Sequence, residues 1–556
     1  MDRFSSLPND HPLHVAIRTY PLALSLSLGP ALLSFTSSQR TRSDGDGLIV
    51  ILRRELSTTA FPFAITVALA GGSALRSLWR RVDQRQIETS ESDAVTKLQA
   101  RLKSWQKSFI CNALASFVAF SLLQRRRRPT HTRNVHIPLT IPISQAHKAG
   151  QGRMSATLDL TLLVLVRAFD ALVQGLVFRR AGDEKKQERK RRLAITTKLD
   201  ALAFWASSAG SASHFFVHEL PLTDVDRRIM WCFFYEPSRL PSSYVKWIGS
   251  LANIDDRIVS ALRLIREKRW SYIYGISPDP NPVSLLAKDL GYPAQLGDPK
   301  LLPAYGGHFA NAVWNVLGVP DRGSVGGLPC EIVHGAVTGG SCTANFTIRG
   351  LHAFLESLAL YVPVHVLPIL IRRPRRLLNF QSILDTLLGI LRSASFLSAF
   401  VSSFWAAVCF TRTLAVARVL PEISHDFYDG PFGCVMAGCL VCGSSIWIES
   451  GRRRGEMALY VLPRAIRACL PDRWLRSGRK SVHAIEQMVF TTALATLLTA
   501  AVHHPETLRG LSRWTLGFIF QGPNALRLQR KNVDSFKGTR VEPPNTSAPR
   551  LSTKQK

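Results

Sequence analysis

Acidic residues are scarce in this chain: 39 Asp and Glu stand against 70 Lys and Arg in 556 residues, leaving a net charge of +31. That imbalance first raises nucleic acid as a partner, because basic patches suit phosphate backbones. Unbroken apolar runs are also few. A span needs roughly 20 apolar residues to cross a hydrocarbon core of about 30 Å, and several apolar blocks fall short of that. A hydrophobic share of 46% with a mean hydropathy of only +0.06 fits neither a typical soluble enzyme nor a uniformly greasy transporter. There is no P-loop, dinucleotide fingerprint, nucleophile elbow or zinc-protease helix signature, so an enzyme has no positive support and no cofactor is implied. A secretory signal is missing too: the first apolar block is broken by Pro30 and lacks a small-x-small cleavage pattern before Arg40. The ending Lys554, Gln555, Lys556 is not a peroxisomal import address. The nine cysteines are odd in number and sit mostly in apolar segments, which fits buried small residues better than a disulfide framework.

The apolar residues are concentrated in blocks: Tyr20 to Phe35, Thr58 to Leu75, Ser108 to Leu123, Ala156 to Phe178, Ala201 to Val217, Leu351 to Ile371, Ile383 to Phe410, Gly430 to Ile448 and Ala484 to Val502. They predict six to nine membrane spans. The basic runs Arg125 to Arg128, Lys185 to Arg192, Arg372 to Arg376 and Arg452 to Arg454 each border such a block. Cations there can snorkel and attract anionic headgroups, so the charge is assigned to membrane flanks and not to nucleic acid. One order of features occurs twice. An apolar helix rich in small residues, an arginine cluster and a helix with an Arg-Ala pair run from Phe109 through Arg128 to Arg167 and Ala168, and again from Phe432 through Arg454 to Arg464 and Ala465. Such internal symmetry is common where helices surround a site or pathway in a bilayer. The expected fold class is all-α: a multi-pass helical membrane protein with two related helical halves.

Orientation is not readable from charge. If Leu158 to Phe178 crosses the bilayer, basic clusters lie on both faces, against the positive-inside rule. That helix carries Asp159, Arg167 and Asp170, and Arg167 and Asp170 can meet on one face. It therefore lines a polar interior, lies along the interface, or belongs to a water-soluble core. The charged stretch Arg179 to Arg192 reads as a solvated loop or helix extension. The small-residue string Ala206 to Ala212 reads as helix packing, with a flexible turn as its competitor. Trp231, Phe233, Phe234, Tyr235, Tyr244 and Trp247 around Pro237 and Pro241 suit an interfacial segment, although a soluble subdomain with an aromatic core would look similar. The density of Pro and Gly from Ser277 to Gly307 predicts an exposed linker. The division is thus 1–220, an N-terminal membrane half with basic connectors; 221–329, aromatic segment and linker; 330–520, a second membrane region; and 521–556, a basic disordered tail.

Cys330, His334 and Cys342 fall within thirteen residues. Thiolate and imidazole are good zinc ligands, and three could close most of a tetrahedral site. A fourth ligand is missing locally, with His308 the nearest upstream candidate, and a structural turn or redox pair competes with the metal reading. Cys439 and Cys442 spell C-x-x-C but share one face of a helix-like run, where cysteine acts as a small apolar residue. His352, Glu356 and His365 read as polar helix contacts.

Three pieces of sequence carry a family resemblance: "PCEIVHGAVTGGSCTANFTIRGLHAFLESLALYVPVHVLPILIRRPRRLL" from Pro329, "LRSASFLSAF" from Leu391 and "ESGRRRGEMALYVLPRA" from Glu449. Cysteines and a histidine ahead of a helix with a Tyr-x-Pro element, here Tyr361 and Pro363, then basic residues, resemble the cysteine-rich N-terminal region of the transmembrane protein 135 family. The resemblance covers about 140 residues. It is weaker upstream, through "FFYEPSRLPSSYVKWI", and the long N-terminal extension departs from the animal members. It implies a multi-pass protein of mitochondrial or peroxisomal membranes, linked to organelle dynamics and lipid handling, with distant similarity to channel-forming subunits of mitochondrial translocases. It supplies no catalytic residue. Expected partners are membrane lipids, anionic ones above all, and a homo-oligomer is compatible. A transporter or translocase-like channel, with Arg167, Asp170, Arg392 and Arg464 along a wet path, is the alternative. A metal-dependent lipid enzyme using the Cys330 region is the third reading.

Overall fold

A computed structural model describes residues 8–36, 52–53, 55–89, 102–125, 155, 157–180, 186–208, 229–235, 240, 242–319, 322–335, 337–372, 379–470 and 480–522. The expectations for Ala209 to Ala212, Arg126 to Arg128, Arg373 to Arg376 and the tail from residue 523 fall outside them. In chain order the α-helices are α1 Pro12–Thr36, α2 Phe61–Thr89, α3 Ser104–Arg125, α4 Leu158–Arg180, α5 Lys186–Ser208 and α6 Ile229–Tyr235. Next come α7 Ser242–Ala252, α8 Asp256–Arg266, α9 Pro282–Asp289, α10 His308–Val316, α11 Cys330–His334 and α12 Cys342–Arg372. Then follow α13 Phe380–Phe410, α14 His425–Tyr428, α15 Cys434–Cys442, α16 Gly451–Cys469, α17 Lys480–His503 and α18 Gly510–Gln521. Among the described residues the only extended pairing is an isolated bridge between Ser271 and Ile276, so the class is all-α.

Among the described residues, five helical stretches are long and apolar enough to cross a membrane: Phe61–Gln84, Ser104–Gln124, Cys342–Leu367, Phe380–Val419 and Lys480–His503. That is fewer than the six to nine read from the blocks. The block at Gly430 to Ile448 is a nine-residue helix followed by a 3-10 turn, too short to span. The block at Ala201 belongs to α5, which starts upstream at Lys186, so the charged connector is helical on both sides of residues 181–185.

The chain divides into two compact units, residues 1–126 with 494–556, and residues 127–493; the division falls within α17. These boundaries differ from those read at 220, 329 and 520. In the first unit α2 packs on α1 and α3. Small residues make the seam of α2 and α3: a side chain at Gly71 would touch Ala115, and one at Gly72 would overlap Asn112. The space left by Gly72 admits a polar cluster, in which Arg76 donates to Asn112 and the Asn112 amide donates to Thr499 at 3.1 Å.

The second unit is built on the α12–α13 hairpin. Its seam is again small: Ser398 donates to the Gly350 carbonyl at 2.7 Å, and a Cβ on Gly350 would lie 3.0 Å from Ser402. The outer face of α12 leaves Ile348, Leu351, Leu355 and Val362 exposed at helical spacing, as a lipid-facing stripe requires. The inner face of α13 presents Phe396, Leu397, Val401, Phe404 and Trp405 to a core shared with α5, α6, α7 and α15. Phe233, Phe234 and Tyr235 are buried there, Phe234 stacked on Phe404 at 5.3 Å, so this part of the aromatic segment is core, while Trp247 stays exposed. Gly438 permits the contact of α15 with α13, since any side chain would overlap the Phe404 ring.

The region expected as an exposed linker is also packed. Asn281 caps α9 by accepting from Val283 at 3.0 Å, Pro282 occupies the first helical turn, and Gly297 lets the following turn lie against the Val283–Ser284 backbone. Its Val283, Leu286 and Leu302 join Trp270, Trp314 and Ile332 in a separate small core. Here Pro and Gly shape caps and turns inside a subdomain.

The repeated elements are built unequally: α3 has 22 residues and lies in the first unit, while its counterpart α15 has nine and lies in the second. Their second helices, α4 and α16, pack on each other. Arg167 pairs with Glu456 at 3.3 Å and Arg467 with Asp159, so two charges of α4 are met across the helix pair. Phe169, Leu172 and Leu176 form an exposed stripe on α4, which is not one of the five spanning stretches.

Candidate metal centre

Cys330 and His334 are four residues apart on α11, so they share one face of a single helical turn. Buried Ile332 anchors that turn in the small core. The loop after it, entered through Gly335 at φ +65°, returns the chain so that Cys342 opens α12 beside them. The sulfurs of Cys330 and Cys342 and a ring nitrogen of His334 lie within 4.8 Å of one another. The ring is fully buried, and its Nδ1 lies 2.7 Å from the Gly339 carbonyl. A carbonyl can only accept, so Nδ1 carries the proton and Nε2 keeps a free lone pair.

Nε2 faces a residue that local spacing does not reveal. The Cys409 sulfur, in the last turn of α13, lies 3.7 Å from it, and the Asn345 amide contacts the same sulfur at 4.0 Å. His308, the upstream candidate, opens α10 and is not part of the group. Cys439 and Cys442 are buried thiols in α15. His352 lies 3.6 Å from Glu356, and His365 packs against Gly389 as a helix contact.

Hydrogen bonding to Cys342 and burial push the Cys330 thiol well above its usual range. Burial works against protonation of His334, but its bonds to Cys342 and Gly339 and the nearby thiols outweigh that, so its pKa is raised. Arg349 ties the surroundings together. Its guanidinium donates to the His334 carbonyl at 2.7 Å, to Ala252 at 2.6 Å and to Asn345 at 2.8 Å, and stacks 4.0 Å over Trp405. A polar cleft of about 330 Å³ opens beside the thiols, lined by Cys330, Cys342, Glu331, Arg322 and Arg418 among others.

Below the thiols, α13 continues into a π-helical stretch, Thr411–Val419, which carries buried Arg412. Arg412 pairs with Asp429 at 3.2 Å, and the Tyr272 hydroxyl donates to the same carboxylate at 3.0 Å. The His425 ring lies 3.8 Å from Asp429. Burial opposes ionisation of Asp429, but Arg412, His425 and Tyr272 outweigh it and hold the carboxyl below its usual range. Burial also lowers the pKa of His425.

The three sequence pieces that carry the resemblance meet in space. Ser393, in the second piece, donates to buried Glu449 of the third at 2.6 Å and accepts from Arg453 at 2.6 Å. Arg454 donates to the Glu449 and Trp447 carbonyls, so these two arginines of the run serve the fold as well as any membrane flank. Residues 330–469 match the profile of the N-terminal cysteine-rich region of Transmembrane protein 135. No curated protein and no solved structure matches the chain, and the likeness to translocase channel subunits has no match behind it. Together with the five long apolar helices among the described residues, the match supports an integral membrane protein in which residues 330–469 are similar to the transmembrane protein 135 cysteine-rich region.

Proposed function

We propose that the chain acts without catalysis in a mitochondrial or peroxisomal membrane, where it serves membrane dynamics and lipid distribution by lodging part of a lipid acyl chain. One observation carries the reading. An apolar cavity of about 190 Å³ lies against α13, lined by Phe396, Phe400, Val401, Trp247, Tyr361, Tyr460 and other apolar side chains. Drug-sized ligands occupy pockets of about 300–1,000 Å³, so this volume suits a segment of one chain and not a whole lipid. A chain moving into it from bilayer hydrocarbon gains no hydrophobic free energy, because lipid tails are equally apolar. Preference must then come from the headgroup. Arg464, stacked 4.1 Å over the cavity-lining Tyr460, supplies a cation there, which favours anionic lipids.

The channel alternative needs its charged residues to face water. Arg167 is instead paired with Glu456; Arg392 is exposed and donates to the Ile448 carbonyl at 2.6 Å, and half-buried Arg464 donates to the Tyr460 carbonyl at 2.7 Å.

Photoactivatable lipids in vesicles holding the full chain test the proposal. Label is expected on peptides spanning Phe396 to Phe404, more from anionic than zwitterionic probes, and Val401→Trp, which fills the cavity, is expected to cut it severalfold. Leu388→Trp, on the exposed face of α13, serves as the control. Equal labelling of both variants and the parent chain would sink the cavity as the lipid site.

A further inference from the structure

We propose that Cys330, His334, Cys342 and Cys409 bind one zinc ion in a closed Cys3His site that fastens one end of the α12–α13 membrane hairpin to the small helical subdomain. This does not depend on the lipid reading. The donors come from three elements, α11, α12 and α13, so the ion would join parts of the chain that the local sequence leaves separate. Three of the donor atoms already lie within 4.8 Å of one another, and the fourth is 3.7 Å from the imidazole nitrogen. Zinc bonds of about 2.3 Å to sulfur and 2.0–2.1 Å to nitrogen, held tetrahedrally, place sulfur and nitrogen roughly 3.6 Å apart. The observed separation matches that distance.

The surroundings fit a bound ion. The Gly339 carbonyl fixes the imidazole with its other nitrogen free, the outer contact that metal-bound histidines ordinarily make. Three thiolates and Zn2+ sum to one negative charge, and buried Arg349, whose hydrogen-bond partners are neutral groups, sits on the His334 carbonyl to offset it. The polar cleft that reaches Cys330 and Cys342 provides an entry path. Binding forms three Zn–S bonds and one Zn–N bond, while up to three thiol protons leave to solvent. Four protein ligands leave no open position for a substrate, so the centre is structural.

The test uses the full chain purified in detergent, with elemental analysis and thiol alkylation. The expected result is one zinc per chain, with Cys330, Cys342 and Cys409 protected from maleimide until a chelator is added. Cys409→Ala should lose most of the zinc, Cys409→His should retain it as a replacement ligand, and His308→Ala should leave it unchanged. The ligand swap separates coordination from folding, since a purely packing role would not be restored by the larger imidazole. The proposal is overturned by absence of stoichiometric zinc with all three thiols promptly alkylated, by a Cys330–Cys342 disulfide, by iron with acid-labile sulfide, or by full zinc in Cys409→Ala.

Discussion

Asp429→Asn is expected to destabilise the second unit by about 3–5 kcal/mol, the cost of leaving a buried charge without its partner. Arg412 and Asp429 are both nearly inaccessible and 3.2 Å apart. The substitution removes the countercharge and keeps the shape. Replacing both groups, as in Arg412→Met with Asp429→Leu, should recover much of the loss, because an apolar pair of similar size carries no desolvation penalty. Thermal unfolding in detergent checks both variants. The pH dependence follows from the sign of the shift. The folded carboxyl titrates below its unfolded value of about 3.9, so its stabilisation is complete above that value and is lost as pH falls through the lower folded pKa. The gap between parent and Asp429→Asn should therefore be constant from about pH 5 to 8 and close only in stronger acid. A gap that closes near neutrality would show that the pair is not held as described.

Arg349→Leu is expected to cost a comparable amount, about 3–5 kcal/mol, by a different route. Hydrogen bonds from a charged donor contribute roughly 1.5–3 kcal/mol each. This guanidinium serves the carbonyls of Ala252, Asn253 and His334 and the Asn345 amide oxygen at once. Leucine leaves two of those carbonyls, at buried Ala252 and His334, without their donor. Arg349→Lys should not rescue, since an ammonium can neither fork to these acceptors nor stack on Trp405 in the same way. The readout is again the unfolding midpoint. A lysine variant as stable as the parent would mean that charge alone matters at this position.

The helices were largely legible because apolar blocks long enough to span must be helical in lipid. What escaped sequence reading was tertiary. Cys409 lies far from Cys342 in an apolar run, where a cysteine looks like any small core residue, and only the antiparallel return of α13 on α12 brings it to His334. Sequence spacing suggests a local Arg167–Asp170 pair, yet Arg167 pairs with Glu456, 289 residues later, and Asp159 with Arg467, 308 residues later. The buried Phe233, Phe234 and Tyr235 suit an interface equally well by sequence, because composition cannot distinguish aromatics facing headgroups from aromatics facing a core. The stretch after Ser277 resembles a linker in composition because Pro and Gly mark caps and tight approaches as well as open chain; Asn281, Pro282 and Gly297 do the former. The resemblance itself was legible in the order of three pieces, and Ser393, Glu449 and Arg453 show why two of them go together.

Residence in a mitochondrial or peroxisomal membrane is the proposal on which the functional reading depends. Tagging the chain, imaging it against markers of both organelles and of the endoplasmic reticulum, and extracting the membranes with alkaline carbonate tests that claim most directly. Carbonate-resistant signal on mitochondria or peroxisomes is expected. Signal released by carbonate, or confined to the nucleus, would contradict it and return the charge of +31 to a nucleic-acid explanation.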